Sequence, residues 1–409
     1  MIRLAPSSFV HSFGAVAVAT ALVGCAPHGV IQLVDGIEPR FVSPKNVLVP
    51  RWRRHITEEP LIEYKPQEFA AAAIGGDKVF VGASQGNFYA FRAYDGEIIW
   101  RKKTVGPIES QPLYVEATHT VYLGGTDGIL YALDSETGAE RFQYRTQGPI
   151  GPVPVVSGDV VYFTTGENRI YAIDALSGTW KWQYEREVPE QSFTVRGSSA
   201  PLVVGEMIYV GFADGSIVCI QAKSGEVLWA RSLAQEGLHF VDVDSTPLLH
   251  NGALYVSSYA GGVYSLDPKD GSIRWRFEVE GAGTVRASSD DDRIYFTAAR
   301  AGVFCLDQAG RLIWRQSLAL GGELSSPLVT GGYVMFSSAT GGTYVANRHS
   351  GELYQYFDPG HGVSSEPVSD GKQVYLLSNE GYFYAFRFSD APRFENRRLI
   401  PQPNYSETF

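Results

Sequence analysis

A block reading roughly V-Y-V-G, then D-G, then I-Y-A-L-D, then T-G-x-x-x-W recurs eight times along the 409-residue chain. Its second residue falls at Phe80, Tyr122, Tyr162, Tyr209, Tyr255, Tyr295, Met335 and Tyr375, at separations of 42, 40, 47, 46, 40, 40 and 40. Within a block, apolar and polar residues alternate, which is the period of a strand rather than a helix. Gly-containing pairs between the runs, such as Asp127-Gly128 and Asp214-Gly215, supply the positive φ of tight hairpins. Four short strands per period of about 40 residues predict an all-β fold, an eight-bladed β-propeller.

The same repeat predicts how the ring shuts. Trp100, Trp182, Trp229, Trp275 and Trp314 each stand four positions after a turn glycine, and Phe142 takes that place in the second block. The seventh block is degenerate, with Gln355 there, and the eighth runs out after Phe388. Trp52, in Leu48-Val49-Pro50-Arg51-Trp52, supplies the missing strand from the N-terminus, so the first strand completes the last blade. Closure of this kind removes the open edges of an unclosed array. The expected organisation is a targeting segment over 1–24, an anchor and tether over 25–45, the propeller over 46–388 and an irregular tail over 389–409.

Formal charge is −10, and the first 24 residues carry only Arg3, so their removal leaves −11. An acidic chain without clustered cations argues against nucleic acid and for protein partners. The apolar run Phe13 to Gly24 is too short to span a membrane and reads as a leader. Its end, Leu22-Val23-Gly24-Cys25, resembles the lipobox of bacterial lipoproteins, in which the cysteine is acylated and becomes the first mature residue. Several acyl chains on Cys25 would suffice for stable anchoring. With Ala26 next, the resemblance implies the periplasmic face of the outer membrane. Cys219 and Cys305, the other two cysteines, hold equivalent strand positions and read as small apolar residues.

Catalytic patterns are sparse. Gly82-Ala83-Ser84-Gln85-Gly86 matches G-x-S-x-G, but that motif needs a strand-to-helix elbow, and here it falls in a hairpin. Asp290-Asp291-Asp292 lacks the further oxygen ligands of a calcium site and reads as a solvated hairpin tip. The histidines are scattered without metal spacing. No cofactor is expected. The repeat does resemble the quinoprotein (PQQ) propeller family, some of whose members are dehydrogenases holding PQQ and calcium. That resemblance specifies the fold and says little about function. The paired vicinal cysteines of its alcohol dehydrogenases are absent, so a PQQ-dependent oxidoreductase stands only as the alternative.

Function in a repeat protein concentrates where the period breaks. The long periods place additions in two crossings between blades, roughly Glu185 to Ser198 and Ala230 to Asp244. Crossings end in Ser-x-Pro or Ser-Pro, and five residues before that Pro stand Pro107, Arg196, Asp242, Gly322 and Gly362. The two long crossings thus carry charges where the others carry Pro or Gly. Aligning Arg286-Ala287-Ser288-Ser289 with Arg196-Gly197-Ser198-Ser199 adds Arg286 to a common rim. An internal Arg196–Asp242 salt bridge is the competing reading.

These segments also carry a closer resemblance. Phe193-Thr194-Val195-Arg196-Gly197-Ser198-Ser199-Ala200-Pro201 is similar to the L-x-L-R-G-x-S-A-P segment of the BamB family, and Asp242-Val243-Asp244-Ser245-Thr246-Pro247 to its D-V-D-T-T-P segment. Those lipoproteins serve the outer-membrane β-barrel assembly (BAM) machinery. The resemblance implies a non-catalytic scaffold, a monomeric ring that binds a POTRA domain of BamA through Phe193, Val195, Arg196, Asp242 and Asp244. Phe193 and Val195 replace leucines and stay apolar. A propeller lipoprotein of the same fold with another protein or glycan partner is the third reading.

Overall fold

The computed structural model describes residues 30–31, 45–58, 67–187, 198–235, 240–299, 301–317 and 323–389. Eight antiparallel sheets follow one another around a ring. The first blade is built from Ala73–Gly75, Lys78–Gly82, Asn87–Arg92 and Ile98–Lys103, innermost to outermost. The remaining blades begin near residues 113, 155, 202, 248, 286, 328 and 368. The eighth takes its outer strand from the N-terminus. Leu48–His55 pairs antiparallel with Tyr382–Phe388, and Trp52 stands opposite Ala385. Within the stretch expected to be a tether, Val30–Ile31 lies parallel to the outer strand of the fifth blade, with Val30 beside Arg276.

The two middle strands of each blade are almost wholly buried, and blade packs on blade through them. The tryptophans register that packing. Trp52 lies against Gly96 of the next blade, where an added Cβ would sit 2.6 Å from the indole and φ is +71°. Only glycine meets both demands. Trp100, Trp182, Trp229, Trp275 and Trp314 repeat the contact on Gly138, Gly225, Gly271, Gly310 and Gly351. Each indole N–H also donates across the boundary: Trp52 to the Ala93 carbonyl at 3.0 Å, Trp100 to Ser135 at 2.9 Å and Trp314 to Arg348 at 2.9 Å. Phe142 packs on Gly178 but has no N–H to give; there the Tyr122 hydroxyl donates to the Ala175 carbonyl at 2.5 Å.

The seventh blade corrects an expectation. Gln355 is a fastener for ring closure, not a decayed tryptophan. Its neighbour, the eighth blade, has an outer strand donated from the N-terminus and so offers no turn glycine to cover. The buried amide instead pairs with both backbone groups of Leu48. Cys219 and Cys305 are fully buried opposite Trp229 and Trp314, and burial pushes their thiols up to about 11 and about 12. Both are free, which fits their expected packing role.

The acidic triplet lies at a solvent-exposed hairpin tip, as expected, and it also contacts neighbouring blades. Asp290 makes two hydrogen bonds to the largely buried Arg348 of the next blade, the Nη1 contact at 2.8 Å. That guanidinium holds the Asp290 carboxyl well below the usual carboxylate range. Asp291 accepts from the Tyr295 hydroxyl at 3.1 Å, and Asp292 accepts from Asn251 at 2.8 Å. The triplet therefore ties the fifth, sixth and seventh blades together. Arg348, lying 58 residues from Asp290, could not be matched to it by spacing alone.

Candidate docking site

Because strands alternate in direction, the hairpins joining the two middle strands emerge on the same face as the crossings. The backbone joins them there: Thr104 N–H to the Gly86 carbonyl at 2.8 Å, Leu233 to Gly215 at 2.8 Å. In the crossings into the second, third, fifth and eighth blades, an apolar side chain four residues before the Pro plugs the preceding blade. Ile108, Ile150, Val243 and Val363 are each at most 1% exposed. The crossing into the first blade puts Glu68 at that place instead. Its carboxylate accepts from the N–H of Ser84 at 2.8 Å and from its hydroxyl. Burial pushes the Glu68 pKa up, and the Ser84 bonds work against that. The serine of the G-x-S-x-G match thus sits in a hairpin turn rather than a strand-to-helix elbow, with its N–H and hydroxyl both donated to the Glu68 carboxylate.

Of the residues carried over by motif, Phe193, Val195 and Arg196 lie outside the described residues. The flanks of their crossing are well held. Arg186 donates its N–H to the Asn168 carbonyl at 3.0 Å and its Nε–H to Asp214 at 2.8 Å. On the return, Ser199 N–H reaches the Gly211 carbonyl at 3.0 Å, and Thr164 donates to the Ser199 carbonyl at 2.7 Å.

The second crossing is described up to Gln235 and again from Phe240 onward. Asp242 is 0% exposed, so its carboxylate faces inward, while Asp244 is half-buried. Between them Val243 donates its N–H to the Phe212 carbonyl at 3.1 Å and closes over Gly211. One residue escaped sequence reasoning. Phe240 is 44% exposed, has φ of +59°, and rests edge-on against Tyr259 at 6.4 Å between ring centroids. An exposed aromatic held in left-handed backbone is a costly arrangement that surrounding structure must enforce. Nothing in the His239-Phe240-Val241 sequence announces it.

Arg286 does not belong to this face. It stands opposite Tyr295 as Leu202 stands opposite Tyr209, so its counterpart is Leu202 and not Arg196. Its guanidinium pairs with Glu366 of the eighth blade at 3.1 Å, and Ser326 of the seventh donates to the same carboxylate. The misalignment arose because the sixth crossing lacks the Ser-x-Pro ending and Ser288-Ser289 imitates it. Among the described residues, no group of three or more His, Cys, Asp or Glu is placed to hold a metal.

The family model for "Outer membrane protein assembly factor BamB" matches residues 51–120, 115–267 and 260–388. The BamB proteins of Yersinia pestis and Escherichia coli K12 are 26% and 27% identical to the chain, each across 76% of it, and the matches span 82% and 83% of those proteins. The Legionella pneumophila BamB is 28% identical over 46% of this chain and half of its own length. The crystal structure of BamB from Moraxella catarrhalis superposes with a TM-score of 0.72 at 22% identity, over 84% of this chain and all of that one. A quinohemoprotein alcohol dehydrogenase from Comamonas testosteroni reaches 0.67 at 15% identity, over 86% of this chain and 78% of that one, a likeness of fold alone.

Proposed function

Because the chain belongs to the BamB family, we propose that it serves the BAM machinery as a non-catalytic, lipid-anchored scaffold that docks on a POTRA domain of BamA. The observation that carries this reading is that the described ends of the two lengthened crossings meet at one hairpin of the fourth blade, Arg186 on Asp214 and Val243 on Phe212. Beside it Phe240 stands exposed with a left-handed backbone, and Asp242 and Val243, which follow it in the chain, are buried. The sign of the interface follows from the residues. Phe193, Val195 and Phe240 would supply the apolar centre, with Arg196 and Asp244 as its charged flank, the composition of a binding hot spot. Asp242, being buried, acts through the shape of its crossing rather than by touching BamA. Acylation of Cys25 would hold the ring at the periplasmic face of the outer membrane as a monomer.

The test is binding of the BamA periplasmic region to purified variants, with unfolding of each variant measured alongside. Arg196→Ala and Asp244→Ala should each weaken binding by roughly tenfold or more, equivalent to about 1.4 kcal/mol, with little change in stability. Asp242→Ala should lose stability and binding together. If Arg196→Ala and Asp244→Ala both bind within about twofold of the parent, these crossings are not the interface.

A further inference from the structure

In the hairpins of the first, second, fourth and eighth blades, the penultimate turn residue is a glycine with φ between +75° and +79°: Gly86, Gly128, Gly215 and Gly381. The third blade has Asn168 at this place, at φ +55°. Asparagine is among the few residues that tolerate this conformation, so the backbone is preserved. Its carbonyl accepts from Arg186 as those of Gly86, Gly128 and Gly215 accept from Thr104, Thr146 and Leu233. What Asn168 adds is a side chain, and that side chain leaves its own blade. Its Oδ1 accepts the N–H of Ala213 in the fourth blade at 3.0 Å and the hydroxyl of Ser198 at 3.4 Å.

The amide it takes has a different acceptor elsewhere. In the second, third and eighth blades the residues equivalent to Ala213 are Thr126, Gly166 and Asn379. Each donates its N–H to the residue five before the Pro of the incoming crossing: Pro107 at 3.1 Å, Pro149 at 2.9 Å and Gly362 at 3.0 Å. In the crossing into the fourth blade that ruler position is Arg196. A side chain from the preceding blade thus does what a crossing's own carbonyl does in the second, third and eighth. The neighbouring residue continues the link, since the Phe212 carbonyl holds the N–H of Val243 between Asp242 and Asp244. Ser198 of one long crossing and Val243 of the other are joined through Asn168, Ala213 and Phe212.

We propose that Asn168 is a positioning residue for docking. By accepting from the Ala213 amide and the Ser198 hydroxyl, it ties the end of one long crossing to the hairpin that holds Val243 of the other, and so sets the two in register. The proposal rests on the docking reading above. Asn168→Gly keeps the backbone geometry and removes the acceptor; Asn168→Asp keeps both the acceptor and the tolerance for left-handed backbone. Hydrogen exchange should show the Ala213 amide losing protection in Asn168→Gly and retaining it in Asn168→Asp, while both rings melt within a few degrees of the parent. Affinity for the BamA periplasmic region should fall by roughly fivefold or more in the glycine variant, the worth of about one net hydrogen bond, and recover in the aspartate variant. Unchanged Ala213 protection in Asn168→Gly, or parental affinity despite lost protection, overturns the proposal. Failure of the parent itself to bind BamA overturns the docking reading instead, and the exchange measurement still decides whether Asn168 holds the Ala213 turn.

Discussion

Gln355 Oε1 accepts the backbone N–H of Leu48 at 2.7 Å, and Gln355 Nε2 donates to the Leu48 carbonyl at 2.9 Å, across 307 residues of chain. Gln355 is 1% and Leu48 0% exposed, so neither backbone group has water as a substitute partner. Gln355→Leu should therefore cost about 2–4 kcal/mol, the penalty of stranding a buried donor and a buried acceptor. Gln355→Trp should not rescue it, because no turn glycine faces that position. Denaturant midpoints equal to the parent's would show that the pairing contributes nothing to closure.

Trp52 fills the boundary between the last blade and the first, touching Phe91, Tyr375 and Phe383 at ring distances of 5.6–6.0 Å. Trp52→Ala should lower stability by about 3–5 kcal/mol. Deletion of residues 46–60 should do more, since it also uncovers the edge at Tyr382–Phe388. Gly96→Ala attacks the same contact from the other side and should be strongly destabilising, because the methyl group would collide with the indole. Equilibrium unfolding of the three variants checks the closure, and parental stability in the deletion would dismiss it.

Phe240 offers a trade between stability and binding. Glycine suits φ of +59° better than phenylalanine does, and the ring is 44% exposed. Phe240→Gly should leave stability unchanged or raise it by up to about 1 kcal/mol. The same change should weaken BamA binding by roughly tenfold or more. A variant that loses stability and keeps its affinity would assign Phe240 to packing alone.

Glu68 predicts a pH dependence. Its pKa in the folded protein is raised above the ordinary 4.5 by burial. Just above 4.5 the folded state then holds more protons than the unfolded chain, so this group's contribution to stability falls as pH rises through that window. Compared with Glu68→Gln, the parent should lose ground as pH is raised from about 4.5 towards 7. Parallel stability profiles for the two proteins over that range would remove Glu68 as the cause.

Cys25→Ser should release the protein from membranes as a soluble periplasmic species, or halt its processing. Fractionation of cells lacking its protein partners provides the measurement. A variant that still sediments with membranes there would place the anchor elsewhere.

Sequence alone determined the features that repeat. Blade number, hairpin positions, the tryptophan ladder and the closing role of Trp52 are encoded within single periods of about 40 residues, where alternation and turn glycines act locally. The tertiary structure decided what joins one period to another. Gln355 looked like a lost tryptophan until Leu48 came to lie beside it. Asp290 is a solvated tip residue, and nothing within its own period names Arg348 of the next blade as its partner. Arg286 and Arg196 looked equivalent because two serines imitate a register that strand pairing assigns differently. Asn168 passes in sequence for an ordinary turn residue, and its acceptor finds Ala213 only once the third and fourth blades are side by side. Hydrogen bonds and burial across a blade boundary depend on which residues meet in space. A linear pattern specifies each partner's local backbone, and the closed ring selects the partner.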